Sequence, residues 1–136
     1  KHNAQILIVP GPHEQEIACR IESLMRHRPF TFAREIISLE YLKAIIKDSA
    51  LVVTNDTGPR HFAVAFNVPV VVIIGPTDPR YSDYCLEKTR LLREELECSP
   101  CHLKVCPTDH RCMRNISAEK ALRACEEFLS MKRNSP

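Results

Sequence analysis

The feature that most constrains this fold is the alternation of short apolar runs with segments of helical periodicity. The runs at residues 5–9, 50–54 and 70–74 are rich in Val, Ile and Leu, which is typical of strands buried on both faces. A shorter strand is predicted at residues 31–33. Parallel strands need a helical crossover, and the helices then cover both faces of the sheet. The alternation therefore predicts an α/β fold of the Rossmann-like type, with a doubly wound parallel sheet.

Apolar residues at helical spacing predict four helices and the side chains that each would bury. The helices cover residues 14–28, a segment that begins at Ser38, residues 61–67 and residues 118–131. Ser38 and Ser117 precede two of them and suit the N-cap position. The predicted core stripes are Ile17, Ile21, Leu24 and Met25 in the first helix, Leu39, Leu42 and Ile46 in the second, and Ala118, Leu122, Cys125 and Leu129 in the last.

Charge and hydropathy exclude two classes of protein. Nineteen Lys and Arg against 17 Asp and Glu are too balanced for a chain that neutralises a nucleic-acid backbone, so we expect no nucleic-acid partner. The apolar run at residues 68–74 is far shorter than the roughly 18 residues of a transmembrane helix. Without a secretory signal pattern, we expect a cytoplasmic protein. Lys132 and Arg133 leave open a peripheral contact with the anionic inner membrane.

All three glycines of the chain follow predicted strands. Gly11 and Gly75 come directly after strands, and Gly58 lies four residues past the strand that ends at Thr54. Ligands of open parallel sheets bind beyond the carboxyl ends of the strands, where glycine permits tight turns and close approach of the backbone. The glycines therefore predict a ligand site at that edge.

The strongest candidate for binding chemistry is the loop that leads from Asp56 into the third helix. The amides of Thr57 and Gly58 would lie at a helix N-terminus, which attracts a phosphate through free N–H groups and the helix dipole. Pro59 suits the first helical turn. Two plainer interpretations stay open, that Asp56 or Thr57 only caps the helix and that His61 is a packed histidine bonded to a carbonyl.

This loop and three other motifs resemble one family of bacterial glycosyltransferases. The stretch from Asp56 to Ala65 has the pattern D-T-G-x-x-H-x-A-x-A, and G-P-T-D-P follows the next strand from Gly75. G-P-H-E begins at Gly11, and cysteines at 98, 101, 106 and 112 follow a C-x-P-C…C-P…C-M pattern. Together these resemble the ADP-heptose:lipopolysaccharide heptosyltransferases of glycosyltransferase family 9, and the cysteines resemble its heptosyltransferase II branch.

The resemblance implies one half of a GT-B glycosyltransferase. Residues 1–136 would form the C-terminal domain that binds the nucleotide sugar, without the N-terminal acceptor domain and the first βα unit of the donor domain. The implied reaction is inverting transfer from ADP-heptose to the lipopolysaccharide inner core, with no required cofactor. The acceptor and the catalytic base would belong to the other domain, so no catalytic residue is expected in this chain, and the chain alone would be inactive.

The same resemblance implies roles for seven residues that match the family motifs. The diphosphate would lie against Thr57 and Gly58, and Asp56 would help to place the donor. His61 would support the loop or the phosphate, and the carboxylate of Glu14 would hold ribose hydroxyls. Thr77 and Asp78 would lie beside the donor crevice.

The cysteine-rich loop leaves three alternatives open. Cys98, Cys101, Cys106 and Cys112 supply four thiols within fifteen residues, enough for a tetrahedral structural zinc site. The same residues could instead be reduced thiols that pack a loop, or disulfides. Two other functions also fit the sequence. One is a non-catalytic, zinc-stabilised Rossmann-like module that binds nucleotides or phosphates, and the other is a GT-B transferase that uses another nucleotide sugar.

Overall fold

The computed structural model describes residues 4–82 and 84–133, and it divides into two compact units at Ala44. The first unit contains strand β1 (Leu7–Ile8), helix α1 (Gln15–Leu24) and strand β2 (Phe30–Thr31). The two strands pair in parallel, with Leu7 opposite Phe30. This confirms the predicted strand–helix–strand crossover, with the second strand one residue earlier than expected.

The burial predicted for the first unit is wrong in two places. Residues 5–9 give a two-residue strand in which Leu7 is exposed, so it is not buried on both faces. Helix α1 stops at Leu24 rather than residue 28, its stripe residues Ile17, Ile21 and Leu24 are exposed, and Ala18 is its buried residue. A two-stranded sheet has too little surface to bury an apolar helix stripe.

Helix α2 (Leu39–Asp48) begins where its cap was predicted. The Ser38 hydroxyl accepts the N–H of Tyr41 at 3.4 Å, which satisfies one of the free amides of the first turn. Ile46 is buried as expected, whereas Leu39 is exposed.

The second unit holds a three-stranded parallel sheet in the order β3-β4-β5. The strands are β3 (Val52–Asn55), β4 (Val70–Ile73) and β5 (Thr89–Leu92), and helix α3 (Gly58–Ala65) connects the first two. This confirms the predicted parallel α/β arrangement, although β5 was not predicted. Strand β4 is central and almost wholly buried, but β3 lies at an edge, and Val53 is 51% exposed. The prediction that β3 is buried on both faces is therefore wrong.

Helices α4 (Arg111–Arg114) and α5 (Ala118–Arg133) complete the second unit. The Ser117 hydroxyl accepts the N–H of Lys120 at 3.2 Å, which confirms the predicted cap of α5. The stripe of α5 is shifted, because Ala124 and Phe128 pack on Val71 and Leu92. Leu122, predicted to be buried, is 55% exposed, whereas Cys125 is partly buried. No helix in the described part of the chain has the length and apolar character needed to span a membrane.

Candidate functional site

The candidate site lies at the carboxyl edge of the three-stranded sheet. Asn55 of β3 pairs in register with Ile73 of β4, so the loops that follow these strands leave the sheet side by side. Polar contacts join the two loops, because Thr77 Oγ1 donates to Asp56 Oδ2 at 3.1 Å. The structure therefore brings two of the predicted site residues together at this edge.

A buried arginine anchors these loops. Arg60, in the first turn of α3, is only 1% exposed, and its Nη1 lies 2.6 Å from Asp56 Oδ1. Nη1 also donates to the Ser82 hydroxyl, and Nη2 donates to the Ser82 carbonyl at 2.5 Å. The Ser82 hydroxyl in turn donates to Asp56 Oδ1 at 3.3 Å. A buried guanidinium is retained at such a position only when it is paired and hydrogen-bonded, as it is here.

The same contacts keep Asp56 ionised. Burial raises the pKa of its carboxyl group, but hydrogen bonds from Arg60, Thr77 and Ser82, together with the charge of Arg60, outweigh burial and lower the pKa overall. Both oxygens of Asp56 accept hydrogen bonds from the protein. The predicted role of Asp56 in placing its own loop agrees with this geometry, and its role toward a donor stays a prediction.

Three other residues at the start of α3 are exposed. They are Thr57, Gly58 and His61, and His61 is a neighbour of the other two on the helix surface because it follows them by four and three residues. A Cβ atom at Gly58 would meet no atom of the described residues within 4 Å, and Gly58 does not have a positive φ. Gly58 therefore borders open space without needing a conformation reserved for glycine.

Neither Asp56 nor Thr57 caps α3 through its side chain. Thr57 occupies the N-cap position with φ −140° and ψ −178°, but its hydroxyl makes no cap hydrogen bond. Its N–H donates to the Asn55 carbonyl at 2.8 Å, so this amide is not free for a phosphate as predicted. As the first helical residue, Gly58 has one of the N–H groups that a helix leaves without an internal partner, and Pro59 follows it. Within residues 4–82 and 84–133, the Gly58 amide of this turn has no hydrogen-bond partner.

His61 is not bonded to a carbonyl but to a tyrosine. Its Nδ1 atom and the Tyr84 hydroxyl form a hydrogen bond, and the two rings lie parallel, with centroids 5.9 Å apart and planes 7° apart. Sequence reasoning missed Tyr84, Ser82 and Arg60. Only Arg60 carries a signal, because it follows Asp56 by four residues, the spacing of an ion pair on one helix face.

Asp78 is a buried structural carboxylate in this geometry. It accepts the backbone N–H of Arg80 at 3.0 Å and the Arg80 side chain through both oxygens, at 3.0–3.1 Å from Nε and 2.6 Å from Nη2. Hydrogen bonds from the side chain and backbone of Arg80 lower the pKa of Asp78 from 3.8 to about 2. Asp78 is therefore ionised and committed to its own loop.

Two predicted glycine functions find different explanations. In the first unit, the carboxylate of Glu14 accepts the N–H of Gly11 at 2.7 Å, which closes this turn onto itself. In the second unit, a Cβ at Gly75 would lie 2.5 Å from Met113 Sδ and 3.5 Å from Cys112 Sγ. Gly75 thus permits close packing of the cysteine-rich loop, and its predicted place at a ligand site stays a prediction.

The cysteine-rich loop is fastened onto the G-P-T-D-P loop. The Ser99 hydroxyl donates to the Gly75 carbonyl at 2.9 Å. The amides of Cys101 and His102 both donate to the Pro76 carbonyl, at 3.1 and 2.9 Å. Three hydrogen bonds therefore join the cysteine-rich loop to the loop that follows β4.

The four cysteines of this loop line one apolar cavity of about 90 Å³. Burial raises the pKa of the Cys112 thiol, and so do the neighbouring Cys106, Cys98 and Cys101. All seven cysteines are free. In the ranges 4–82 and 84–133, no three His, Cys, Asp or Glu side chains are arranged to hold a metal ion. The structural zinc site and the packed, reduced thiols both stay predictions.

Comparison with known proteins agrees with these motifs. Residues 1–111 match the family model described as glycosyltransferase family 9 (heptosyltransferase). The chain belongs to glycosyltransferase family 9. Lipooligosaccharide heptosyltransferase 2 of Campylobacter jejuni is 29% identical to this family 9 chain over 124 residues, which cover 88% of the chain and 39% of that protein. The Haemophilus influenzae protein of the same name is 34% identical over 94 residues, covering 63% of the chain and 25% of that protein.

Two solved structures share the fold of this family 9 chain. Escherichia coli ADP-heptose LPS heptosyltransferase II has a TM-score of 0.77 at 21% identity, over 95% of this chain and 37% of that one. A family 9 glycosyl transferase from Veillonella parvula has a TM-score of 0.76 at 23% identity, over 93% and 37%. The likeness confirms the predicted α/β class with parallel strands. The chain spans less than two fifths of the length of these relatives.

Proposed function

We propose that this chain is the C-terminal, donor-binding domain of a GT-B glycosyltransferase, which transfers heptose from ADP-heptose to the lipopolysaccharide inner core. Family membership supports glycosyl transfer, and the names of the relatives favour heptose as the sugar. The diphosphate is the part of the donor for which the structure of this chain offers candidate binding groups.

The first turn of α3 has buried, paired residues on one face and exposed residues on another, and this arrangement supports the proposal. Asp56 and Arg60 satisfy each other on the inner face, while Thr57, Gly58 and His61 leave a hydroxyl, an amide and an imidazole on the exposed face. Such donors at the positive end of a helix suit a diphosphate. The buried network holds them in place before the ligand arrives, which lowers the entropic cost of binding.

The proposed mechanism is inverting transfer without a metal. A base of the other domain would deprotonate the acceptor hydroxyl, which attacks the anomeric carbon as the bond to the diphosphate breaks. The negative charge then collects on the leaving ADP. Hydrogen-bond donors aimed at that charge stabilise the transition state, and Thr57, Gly58 and His61 would provide them.

The proposal is tested by titrating the chain with ADP, UDP and inorganic pyrophosphate while amide chemical shifts are recorded. We expect ADP to bind more tightly than UDP and to shift the amides of residues 56–61 and 75–78. Glu14→Gln in the same titration tests the predicted ribose contact. Equal binding of UDP would favour a transferase that uses another nucleotide sugar. Absence of all nucleotide binding, together with stoichiometric zinc, would favour the non-catalytic module.

The proposal extends to location. We propose that the enzyme works on the cytoplasmic side of the inner membrane. Because the lipopolysaccharide acceptor is a lipid, we also propose that the enzyme makes peripheral contact with that membrane. Recovery of the full-length protein from the membrane fraction, with release by high salt, would support this location. Recovery in the periplasmic fraction would contradict it.

A further inference from the structure

The contact between Tyr84 and His61 joins a residue of the candidate site to one that no motif contains. Both side chains are exposed, and their rings stack while the hydroxyl bonds to Nδ1. His61 follows Thr57 by four residues and Gly58 by three, so the stacked pair lies beside the open part of α3.

Tyr84 is held in place by the buried network. The Ser82 carbonyl accepts Nη2 of Arg60 at 2.5 Å and also the backbone N–H of Tyr84 at 3.1 Å. Arg60 and His61 are consecutive residues of α3, and they hold Ser82 and Tyr84 respectively. The backbone of Tyr84 is therefore held by contacts that do not depend on His61.

The partner of one imidazole nitrogen determines what the other nitrogen can do. When the Tyr84 hydroxyl donates to Nδ1, the proton of the neutral ring resides on Nε2, which becomes a donor. Among the described residues, Nε2 of His61 has no hydrogen-bond partner.

We propose that Tyr84 is a positioning residue that acts through His61. It orients the imidazole and keeps a proton on Nε2, so that this atom donates to the diphosphate of the bound nucleotide. This inference rests on the proposed function, because it takes the diphosphate to bind at the exposed face of α3.

The test uses Tyr84→Phe, which keeps the ring and removes the hydroxyl. Nitrogen-15 spectra of His61 in the ligand-free chain report which nitrogen carries the proton, and a titration reports ADP affinity. We expect the parent to show the proton on Nε2 and the variant to show a mixture of tautomers. The Kd for ADP should rise about threefold to tenfold, as for the loss of one hydrogen bond.

Two comparisons make the result specific. Tyr81→Phe changes an exposed tyrosine of the neighbouring turn, whose ring contacts His102, and should leave both readings at the parent values. In a His61→Phe background, Tyr84→Phe should have no further effect on ADP.

Three outcomes would overturn the inference. An unchanged tautomer and an unchanged ADP affinity in Tyr84→Phe would show that Tyr84 is not a positioning residue, and the proposed function would stand. A loss of affinity of the same size in the His61→Phe background would show that Tyr84 acts by another route. A parent chain that binds neither ADP nor pyrophosphate would overturn the proposed function itself, even where the His61 spectrum responds to Tyr84→Phe.

Discussion

The two faces of the first turn of α3 differ in almost every physical respect. On the inner face, Arg60 is buried and its charge is matched by Asp56. On the outer face, Thr57, Gly58 and His61 are exposed, and no atom of the described residues lies within 4 Å of the place where a Gly58 side chain would begin. One turn of helix thus separates residues that hold the loop from residues that are free to bind. Substitutions on the two faces should therefore have opposite profiles of stability and affinity.

The largest effect is expected on the inner face. Arg60→Ala leaves the part-buried Asp56 carboxylate without its cationic partner, and breaking such a pair costs about 3–5 kcal/mol of the free energy of unfolding. Urea unfolding measures this cost. Arg111→Ala is the control, because it breaks the solvent-exposed pair with Asp109 and should cost at most about 1 kcal/mol. Equal losses in the two variants would mean that the inner face does not hold the loop.

The outer face should give the reverse profile. Thr57→Val keeps the shape of the side chain but removes a hydroxyl that makes only a 3.5 Å contact with the Asn55 carbonyl. We expect the free energy of unfolding to change by less than about 0.5 kcal/mol, as for other exposed sites. The loss of a hydrogen bond to a charged diphosphate should weaken ADP binding about tenfold or more. A stability loss without a loss of ADP affinity would place Thr57 with the inner face.

Substitution of two glycines by alanine should have different effects on stability. Gly75→Ala forces the Met113 side chain to move, since the new Cβ would lie 2.5 Å from its sulfur. Overpacking of this kind costs about 1–3 kcal/mol, and we expect the lower end because methionine is flexible. Gly58→Ala meets open space and should leave the free energy of unfolding unchanged or slightly higher. Thermal unfolding of the two variants distinguishes these outcomes.

The smallest effect concerns pH. Because Arg80 lowers the pKa of Asp78 from 3.8 to about 2, the folded state favours the ionised carboxylate. Its contribution to stability is complete above the unfolded pKa and is lost as the pH falls from about 4 to about 2. Asp78→Asn should flatten the pH dependence of unfolding in that window. Arg80→Ala should return the pKa of Asp78 toward 3.8 and so flatten the same window, and an unchanged profile in both variants would contradict the ion pair.

Local signals in the sequence predicted much of this fold. Ser38 and Ser117 cap the helices that they precede, and the β-branched run of β4 forms a central strand. These features depend on neighbours within a few residues. Strand β5 escaped prediction because Thr89–Leu92 is short and mixes Arg90 with apolar residues, and its identity as a strand depends on pairing with β4.

Packing between distant segments was beyond the reach of the sequence. The buried face of α5 is set by the side chains of β4 and β5 that meet Ala124 and Phe128, so the stripe differs from the one that periodicity favours. The candidate site shows the same limit, because Arg60 reaches Ser82 across 22 residues. Spacing placed Asp56, Thr57, Gly58 and His61 on one turn, but it could not tell which of them point inward.

The close packing of the cysteine-rich loop on Gly75 limits how this protein can be engineered. Because Met113 and Cys112 occupy the space that a Cβ would fill, the G-P-T-D-P loop and the cysteine-rich loop are complementary in shape. A chimera in which residues 98–113 come from another protein needs side chains that pack against the glycine backbone at position 75. A loop exchange in this protein should therefore replace both loops together, since each loop packs against the other.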